Sequence, residues 1–296
     1  MSGLASIANP LDPNATAIQV YYVAQDGNLA MAFKTGGASS QTKEDKYHAG
    51  ANDYEGHIVS PSHLAVGYFQ GAQFVVGYTT PKPTAAAASS GTPATTETHN
   101  ISIISPIYEP IVKGVGVEKR ALTFTANNNI ASIWYLSEND EDETVLREYR
   151  LRDRTHANDG KMRNIHSSSA LAGYIVGNDV FVVYQSKGGE LFEYKSGKNW
   201  PLIETGNDPA EKTTLAVNYV EEKKAAYLYY RTSKGALIRM AKKEKDEEWG
   251  YSKKIPTDNV AVGPNSQLAV VYSNGINHIY WVPEGAADPK EAKDNL

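Results

Sequence analysis

The sequence predicts an all-β protein, a six-bladed β-propeller with four-stranded antiparallel blades, and three observations support this prediction. A short apolar run that begins with leucine recurs six times along the 296 residues. Each run is followed by a segment rich in aromatic and β-branched residues, which favour strands. No helical period separates the copies, so each copy is expected to be a small sheet that buries its faces against its neighbours.

Each predicted blade follows the same order of strands. The apolar run is the first strand, and the aromatic segment, with side chains alternating between two faces, is the second. A turn then leads to a third strand, as at Asp26-Gly27 and Lys234-Gly235. Trp200 and Trp249 stand where a fourth, outer strand is expected to start. The apolar runs begin at Leu4, Leu64, Leu122, Leu171, Leu215 and Leu268, and the aromatic strands begin at Ile18, Gln73, Ala131, Val180, Ala226 and Asn277. A β-sandwich is the alternative, and the recurrence of this order in register favours the propeller.

Two segments depart from the repeat within a single domain that spans residues 1–296. Residues 81–100 form a low-complexity insertion in the second blade, predicted to be either a loose loop or a lid over one face of the propeller. Residues 286–296 are predicted to be a short tail without a strand, which leaves the last blade without one or two outer strands. The sequence leaves open whether the N-terminus supplies the missing strand or the blade is truncated.

Composition and charge exclude several classes of function. The net charge is −5 and no long basic cluster is present, which argues against binding to nucleic acid or to an anionic membrane. The absence of cysteine excludes disulfides, thiolate chemistry and cysteine-based zinc sites. No apolar run reaches the length of a membrane span, and the first ten residues lack a signal-peptide pattern. We therefore expect a cytoplasmic protein, or a secreted one if a signal peptide has been removed, and the sequence leaves a homodimer open.

Two segments, Ala131 to Tyr149 and Val180 to Trp200, resemble blades of the fungal fucose-specific lectins of the orange-peel-mushroom type. The likeness is one of scaffold and covers almost the whole chain. It implies a six-bladed propeller with sugar sites between adjacent blades. Each such site combines an arginine at the second position of the aromatic strand, a glutamate on the third strand and an aromatic platform. Arginine and glutamate hydrogen-bond sugar hydroxyls, and the aromatic face covers the apolar face of the ring.

This chain departs from the lectin pattern at most of these positions. No arginine occupies the second position of an aromatic strand, and glutamate is kept on the third strands of two blades only, with no match found in the sixth. A carbohydrate-binding lectin with altered sugar sites is therefore the alternative function. The arginine positions hold Gln19, Phe74, Ser132, Phe181, Tyr227 and His278, and the glutamate positions hold Met31, Ile103, Glu148, Glu193 and Arg239.

A divergent branch of the same scaffold suggests the first functional prediction. A propeller in which aromatic groups replace the sugar-site arginines is similar to the fungal hetero-Diels–Alderases of tropolone sesquiterpenoid biosynthesis. Those enzymes join a tropolone quinone methide to a macrocyclic sesquiterpene alkene such as humulene. The resemblance implies a cofactor-free cycloaddition enzyme of secondary metabolism whose substrates are small apolar or aromatic molecules.

Candidate residues for that chemistry follow from the strand period. If position two of each aromatic strand faces the cleft between blades, positions four and six face it too. A cycloaddition needs its partners held in attack geometry and a donor to the diene oxygen. His278 and Tyr227 are the predicted donors, with Arg231 or Arg239 as the clamp on that oxygen. The predicted substrate-binding residues are Gln19, Tyr21, Phe74, Trp134, Phe181, Tyr229 and Tyr280, for most of which core packing between blades is the alternative interpretation.

Other chemistries have weaker support in the sequence. The seven histidines show no HExxH spacing, so no metal site is predicted. The acidic tip at residues 139–143 resembles a calcium loop only in charge, because it lacks the loop's glycine. No glycine-rich phosphate loop or GxSxG elbow is present, and no cofactor is predicted. A glycosidase carboxylate pair has no position that the sequence can fix, and a scaffold protein without any site is the third alternative.

Overall fold

The structure is a computed structural model that describes residues 3–9, 11–12, 16–24, 27–34, 43–47, 57–59, 62–81, 98–116, 121–139, 141–157, 164–202, 208–250, 252–284, 286 and 289–296. Within these residues the chain forms six antiparallel sheets that follow one another in sequence. Each sheet pairs its strands in chain order, which is the arrangement of a propeller blade. The predicted six-bladed, all-β architecture is therefore confirmed.

The first three blades have four strands each. Blade 1 contains β1 (Leu4–Ala8), β2 (Ile18–Val23), β3 (Leu29–Lys34) and β4 (Lys43–Tyr47). Blade 2 contains β5 (Leu64–Phe69), β6 (Ala72–Thr79), β7 (Thr98–Ser105) and β8 (Glu109–Gly116). Blade 3 contains β9 (Leu122–Ala126), β10 (Ala131–Glu138), β11 (Thr144–Arg150) and β12 (Thr155–Ala157).

The last three blades complete the ring. Blade 4 contains β13 (Ala172–Val176), β14 (Asp179–Gln185), β15 (Leu191–Lys195) and β16 (Lys198–Pro201). Blade 5 contains β17 (Leu215–Val220), a short 3₁₀ turn (Glu221–Lys223), β18 (Ala225–Arg231), β19 (Leu237–Lys243) and β20 (Lys253–Ile255). Blade 6 contains β21 (Ala269–Ser273), β22 (Ile276–Trp281) and β23 (Lys290–Asn295).

The innermost strands line the axis of the propeller. Each of β1, β5, β9, β13, β17 and β21 contacts the innermost strands of the two adjacent blades. Together the six leucine-led runs surround an axial cavity of about 160 Å³. Their apolar composition follows from this position, because an inner strand has protein on both faces. Gly173 allows a close approach here, since a Cβ at that residue would lie 2.5 Å from Cγ2 of Thr125 on the inner strand of blade 3.

A buried glutamine that precedes the innermost strand of blade 6 contributes to closing the ring. Gln267 accepts hydrogen bonds through Oε1 from the backbone N–H of Leu4 (2.8 Å) and of Leu64 (2.9 Å). Its Nε2 donates to the carbonyl of Leu64 at 2.7 Å. One side chain at the end of the sequence thus holds the inner strands of the first two blades.

The prediction that the C-terminal residues form no strand was wrong. Lys290–Asn295 is β23, and it pairs antiparallel with β22 over its full length. The segment is highly charged, which local propensity disfavours in strands. Pairing and burial override that preference, because Ala292 and Asp294 point inward while Lys293 is exposed. Among the described residues blade 6 therefore has three strands, all from the C-terminal part of the chain.

Two other local predictions need adjustment. The insertion predicted at 81–100 ends earlier, because Thr98–Asn100 already belong to β7. Residues 82–97, which include the predicted loop or lid, lie outside the described residues. Trp249 does not start the outer strand of blade 5, which begins at Lys253; its ring is buried instead. In the described part of the chain, no helix has the length and apolar character needed to cross a bilayer.

Candidate functional site

The blades meet face to face, and every interface uses the same strand positions. Positions two and four of the second strand in one blade pack against positions one, three and five in the next blade. In the cleft between blades 4 and 5, the 4/5 cleft, Phe181 and Val183 thus meet Ala226, Leu228 and Tyr230. The same arrangement recurs between blades 2 and 3, between 3 and 4, and between 5 and 6. Most of these side chains are buried, including Tyr78, Trp134, Tyr229 and Tyr280.

The third strand of each blade places one residue opposite position four of the second strand. In blades 3 and 4 this residue is a glutamate, because Glu148 lies opposite Trp134 and Glu193 lies opposite Val183. In blade 6 it is Glu291, which lies opposite Tyr280. The sequence-based comparison found no glutamate in the sixth blade because it did not recognise β23 as a strand. The full set of equivalent positions is Met31, Ile103, Glu148, Glu193, Arg239 and Glu291.

The 4/5 cleft contains a cavity of about 320 Å³. Two aromatic rings of blade 4, Tyr174 and Phe181, stack in its wall with centroids 4.7 Å apart and planes 7° apart. Two ammonium groups lie over the Phe181 ring, with Lys195 Nζ at 4.9 Å and Lys242 Nζ at 5.7 Å from its centroid. Both rings are buried, at 5% and 9% exposure, so the cleft offers a small aromatic surface with cations beside it. The cavity is lined by Tyr174, Val176, Gly177, Asp179, Phe181, Lys195, Tyr219, Ala226, Lys242, Lys243 and Glu244.

Behind this wall, Glu193 joins the two blades. It accepts hydrogen bonds from Tyr174 Oη (2.7 Å) on its own blade and from Trp249 Nε1 (3.1 Å) on blade 5. Lys242 Nζ of blade 5 donates to its other oxygen at 2.6 Å. Burial and the neighbouring Glu193 carboxylate raise the pKa of Tyr174, so the phenol stays protonated and donates to the carboxylate.

The 5/6 cleft has the reverse arrangement of charge. Arg239 occupies the glutamate position of blade 5, and its Nη1 donates to Asp294 of blade 6 at 2.9 Å. Asp294 also accepts from Tyr229 Oη at 2.8 Å and pairs with Lys253 at 3.4 Å. Asn277 Nδ2 donates to the Tyr229 oxygen at 2.8 Å. Burial, with the Asp294 charge, raises the pKa of Tyr229, which keeps this donor protonated.

The 6/1 cleft holds a third charged cluster. His278 Nδ1 lies 2.6 Å from Glu291 Oε1, and Lys34 Nζ of blade 1 lies 3.1 Å from the other oxygen. The Lys34 ammonium also lies 4.5 Å from the centroid of the Tyr280 ring. Burial opposes ionisation of Glu291, but the hydrogen bond with His278 and the charge of Lys34 together lower its pKa to about 2.

An arginine–glutamate pair is present in blade 3, although not at the expected position. Glu148 is buried and accepts from Ser132 Oγ at 2.6 Å. Arg150 donates from Nε to the other Glu148 oxygen at 3.1 Å. Arg150 lies opposite Ser132 in the strand register. Blade 3 thus has an arginine beside its glutamate on the third strand, a position that a search of the aromatic strand alone does not cover.

The residues predicted for catalysis lie in separate places. His278 is in the 6/1 cleft, where it pairs with Glu291. Tyr227 and Arg239 are together in the 5/6 cleft, with the guanidinium carbon 5.6 Å from the centroid of the Tyr227 ring. Arg231 donates from Nε to the carbonyl of Val262 at 2.8 Å. Three of these four side chains are therefore bound to protein acceptors, and the four do not meet in one cleft.

The residues predicted for substrate binding are also distributed around the ring. Gln19 and Tyr21 lie near each other, with Tyr21 Oη 3.4 Å from Gln19 Oε1 and accepting from Gln73 Nε2 at 2.6 Å. Phe74 packs edge-on against Phe124, and Trp134 packs edge-on against Tyr194. Only Phe181 of this set lines the 320 Å³ cavity. Tyr229 and Tyr280 are fully buried in the 5/6 and 6/1 interfaces.

The sequence did not predict Tyr174 and Lys242, which give the 4/5 cleft an aromatic ring of its wall and a fixed cation. Tyr174 lies on an inner strand, where the pattern predicted only apolar packing. Lys242 begins the charged run before Trp249, which has the composition of an exposed loop. Neither carries a local signal, because each acquires its role from the adjacent blade. No group of three or more histidine, aspartate or glutamate side chains able to hold a metal ion occurs in the described part of the chain.

Solved structures with this fold include lectins. The fungal lectin of Aleuria aurantia, described as a six-bladed β-propeller with a novel mode of fucose recognition, matches with a TM-score of 0.70 at 12% identity over 99% of this chain and 91% of that chain. The SapL1 lectin, solved with alpha methyl fucoside, matches with a TM-score of 0.62 at 14% identity over 99% and 92%. AofleA from Arthrobotrys oligospora matches with a TM-score of 0.63 at 12% identity over 99% and 82%.

No protein-family model matches the chain, and comparison with curated proteins finds no relative. At such low identities, the structural likeness establishes the fold and leaves the ligand to be argued from the site itself. The lectin-like propeller scaffold is thus shown.

Proposed function

We propose that the chain is a carbohydrate-binding propeller and that its principal binding site is the 4/5 cleft. The observation that carries this proposal is the stacked Tyr174–Phe181 pair facing a cavity with charged groups beside it. An aromatic face covers the apolar face of a sugar ring, and adjacent polar groups bond its hydroxyls. Phe181 occupies the second position of its aromatic strand, where the resemblance to the lectins implies a sugar site.

The size of the cavity supports a small ligand. At about 320 Å³ it lies at the lower end of the range for ligand pockets, which is roughly 300–1,000 Å³. That space suits a single sugar ring. Two reacting partners, one of them a macrocycle, would need a larger enclosure.

The hetero-Diels–Alderase function remains a prediction with less support. Its proposed donors are distributed over separate sites, and His278, Arg231 and Arg239 are bonded to protein acceptors. Structural neighbours named as lectins, among them those of Aleuria aurantia and SapL1, favour the carbohydrate alternative. Localisation and oligomeric state likewise remain predictions.

A glycan array probed with the whole protein tests the proposal, and it should include alpha methyl fucoside as one ligand. We expect retention on at least one class of glycan, and loss of that retention in Phe181→Ala. Phe74→Ala is the matched control, because Phe74 occupies the equivalent position in blade 2 and packs edge-on against Phe124. Melting temperatures of both variants show whether the propeller remains folded. Absence of binding to any glycan by the unmodified protein would contradict the proposal, as would equal losses in the two folded variants.

A further inference from the structure

The polar groups nearest the aromatic wall of the 4/5 cavity are hydrogen-bond donors. The ammonium groups of Lys195 and Lys242 both lie over Phe181 and line the cavity. An ammonium carries three N–H donors and no acceptor. One donor of Lys195 is used by Asp179 at 2.6 Å, and one of Lys242 is used by Glu193 at 2.6 Å. Donors therefore remain on both groups for a ligand in the cavity; Lys243 also lines it but is exposed.

The carboxylate of this cleft is already satisfied by the protein. Glu193 is 2% exposed and receives Tyr174, Trp249 and Lys242. It is absent from the residues that line the cavity. A sugar hydroxyl needs both a donor and an acceptor partner, because the group itself has both functions. Because Glu193 is buried behind the lining, a ligand hydroxyl in the cavity does not reach it.

Two other carboxylates lie at the edge of the cavity. Asp179 pairs with Lys195, and Glu244 accepts from Tyr219 Oη at 3.2 Å. Both residues are exposed, so water screens their charge. Lys242, by contrast, is only 15% exposed at the side chain and is held in place by Glu193. A fixed cation, Lys242, therefore lies near the aromatic wall, 5.7 Å from the centroid of the Phe181 ring.

We infer that the ligand of the 4/5 cleft is an acidic sugar, a ring that carries a carboxylate or a sulfate group. This inference rests on the proposed carbohydrate-binding function and specifies its substrate class. The ring lies against the Tyr174–Phe181 pair, and its anionic group receives the remaining donors of Lys242 and Lys195. Charge-assisted bonds of this kind are stronger than those made to a neutral hydroxyl, which gives the acidic form its advantage.

The test is an array of matched triplets, in which each neutral glycan stands beside its uronic acid and its sulfated form. We expect the whole protein to prefer one or both acidic forms by about ten-fold or more. The uronic-acid and sulfated arms identify which anion the site takes. Binding should weaken between about 50 mM and about 500 mM NaCl, because salt screens the attraction.

Substitutions of Lys242 test whether this residue causes the preference for acidic glycans. Lys242→Gln should abolish the preference for acidic forms, and Lys242→Arg should retain it. Lys254→Gln is the matched control, because Lys254 is an exposed lysine elsewhere on blade 5. Thermal unfolding of each variant shows that the fold is intact. Inorganic sulfate is the added probe for anion binding without a ring, and it should compete weakly.

The possible outcomes separate the two claims. Acidic glycans bound preferentially through Lys242 support both the inference and the proposed function. Neutral and acidic forms bound equally, with Lys242→Gln unchanged, would overturn the inference and leave the carbohydrate function standing. No glycan bound at all would overturn both. Inorganic sulfate competing as strongly as the sulfated glycan, in Phe181→Ala as well, would also overturn the inference, because the ring would then contribute nothing.

Discussion

The 4/5 and 5/6 clefts are built from equivalent blade positions, yet their charged groups are arranged in opposite ways. In the 4/5 cleft the carboxylate belongs to the first blade and is buried, and the Lys242 cation lines a cavity. In the 5/6 cleft the first blade supplies Arg239, which is bound to the buried Asp294 of the second blade. The comparison indicates that the repeat fixes where a cleft lies. In the 4/5 cleft the paired cation also lines a cavity, whereas in the 5/6 cleft it is bound to a buried carboxylate of the next blade.

The largest expected effect is the loss of the carboxylate from the 5/6 cleft. Asp294→Asn leaves Arg239 and Lys253 without their anionic partner, and Asp294 is only 2% exposed. Removal of one partner from a buried ion pair costs about 3–5 kcal/mol. Chemical denaturation should show a loss of that size in the free energy of unfolding. Glu247→Gln, at an exposed residue of blade 5, is the control and should change stability by less than about 0.5 kcal/mol. A loss below about 1 kcal/mol for Asp294→Asn would show that the 5/6 charges are not structural.

A smaller effect is expected from the equivalent substitution in the 4/5 cleft. Glu193→Gln removes the charge that holds Lys242, but it keeps an oxygen for Tyr174 or Trp249. Glu193→Gln removes the anionic partner of one cation, Lys242, whereas Asp294→Asn removes the partner of two, Arg239 and Lys253. We expect a loss of about 1–3 kcal/mol in the free energy of unfolding, measured in the same denaturation series. If Glu193→Gln costs as much as Asp294→Asn, the distinction between the two clefts fails.

The charged cluster of the 6/1 cleft extends the comparison, because its contribution to the free energy of unfolding should depend on pH. This contribution should be the smallest of the three. The folded-state pKa of Glu291 is about 2, below its ordinary value of 4.5. Its contribution to stability is therefore fully present above about pH 4.5 and is lost as the pH falls towards 2. Lys34 and Glu291 are each about a quarter exposed at the side chain, so screening should limit the contribution to about 1 kcal/mol.

Unfolding free energies of the unmodified protein and of Glu291→Gln, compared between neutral and acidic pH, test this expectation. The difference between the two proteins should be largest near pH 7 and should shrink as the pH falls from about 4.5 towards 2, because the Glu291 carboxylate, which faces His278 and Lys34, becomes protonated. A difference that is independent of pH would show that the Glu291 charge does not act on stability.

The architecture could be predicted from the sequence because each blade repeats one periodic pattern. Leucine-led inner strands and aromatic second strands gave the number of blades and the faces on which Phe181, Tyr227 and His278 lie. The failure at β23 is informative, since Lys290–Asn295 has almost no residue that favours strands by itself. Pairing with β22 stabilises this strand despite its low strand propensity. Glu291 was not predicted at the glutamate position because β23 was not recognised as a strand.

The sequence alone determined the six-bladed ring and the absence of arginine from position two of the aromatic strands. Only the tertiary structure decided how the remaining charges are paired. Arg150 reaches Glu148 from the same strand, and Lys242 reaches Glu193 from the next blade, 49 residues away in the chain. Periodicity reports which face a side chain occupies, because that depends on its own strand. The choice of partner across a cleft depends on two strands that are distant in sequence, and no local pattern records it.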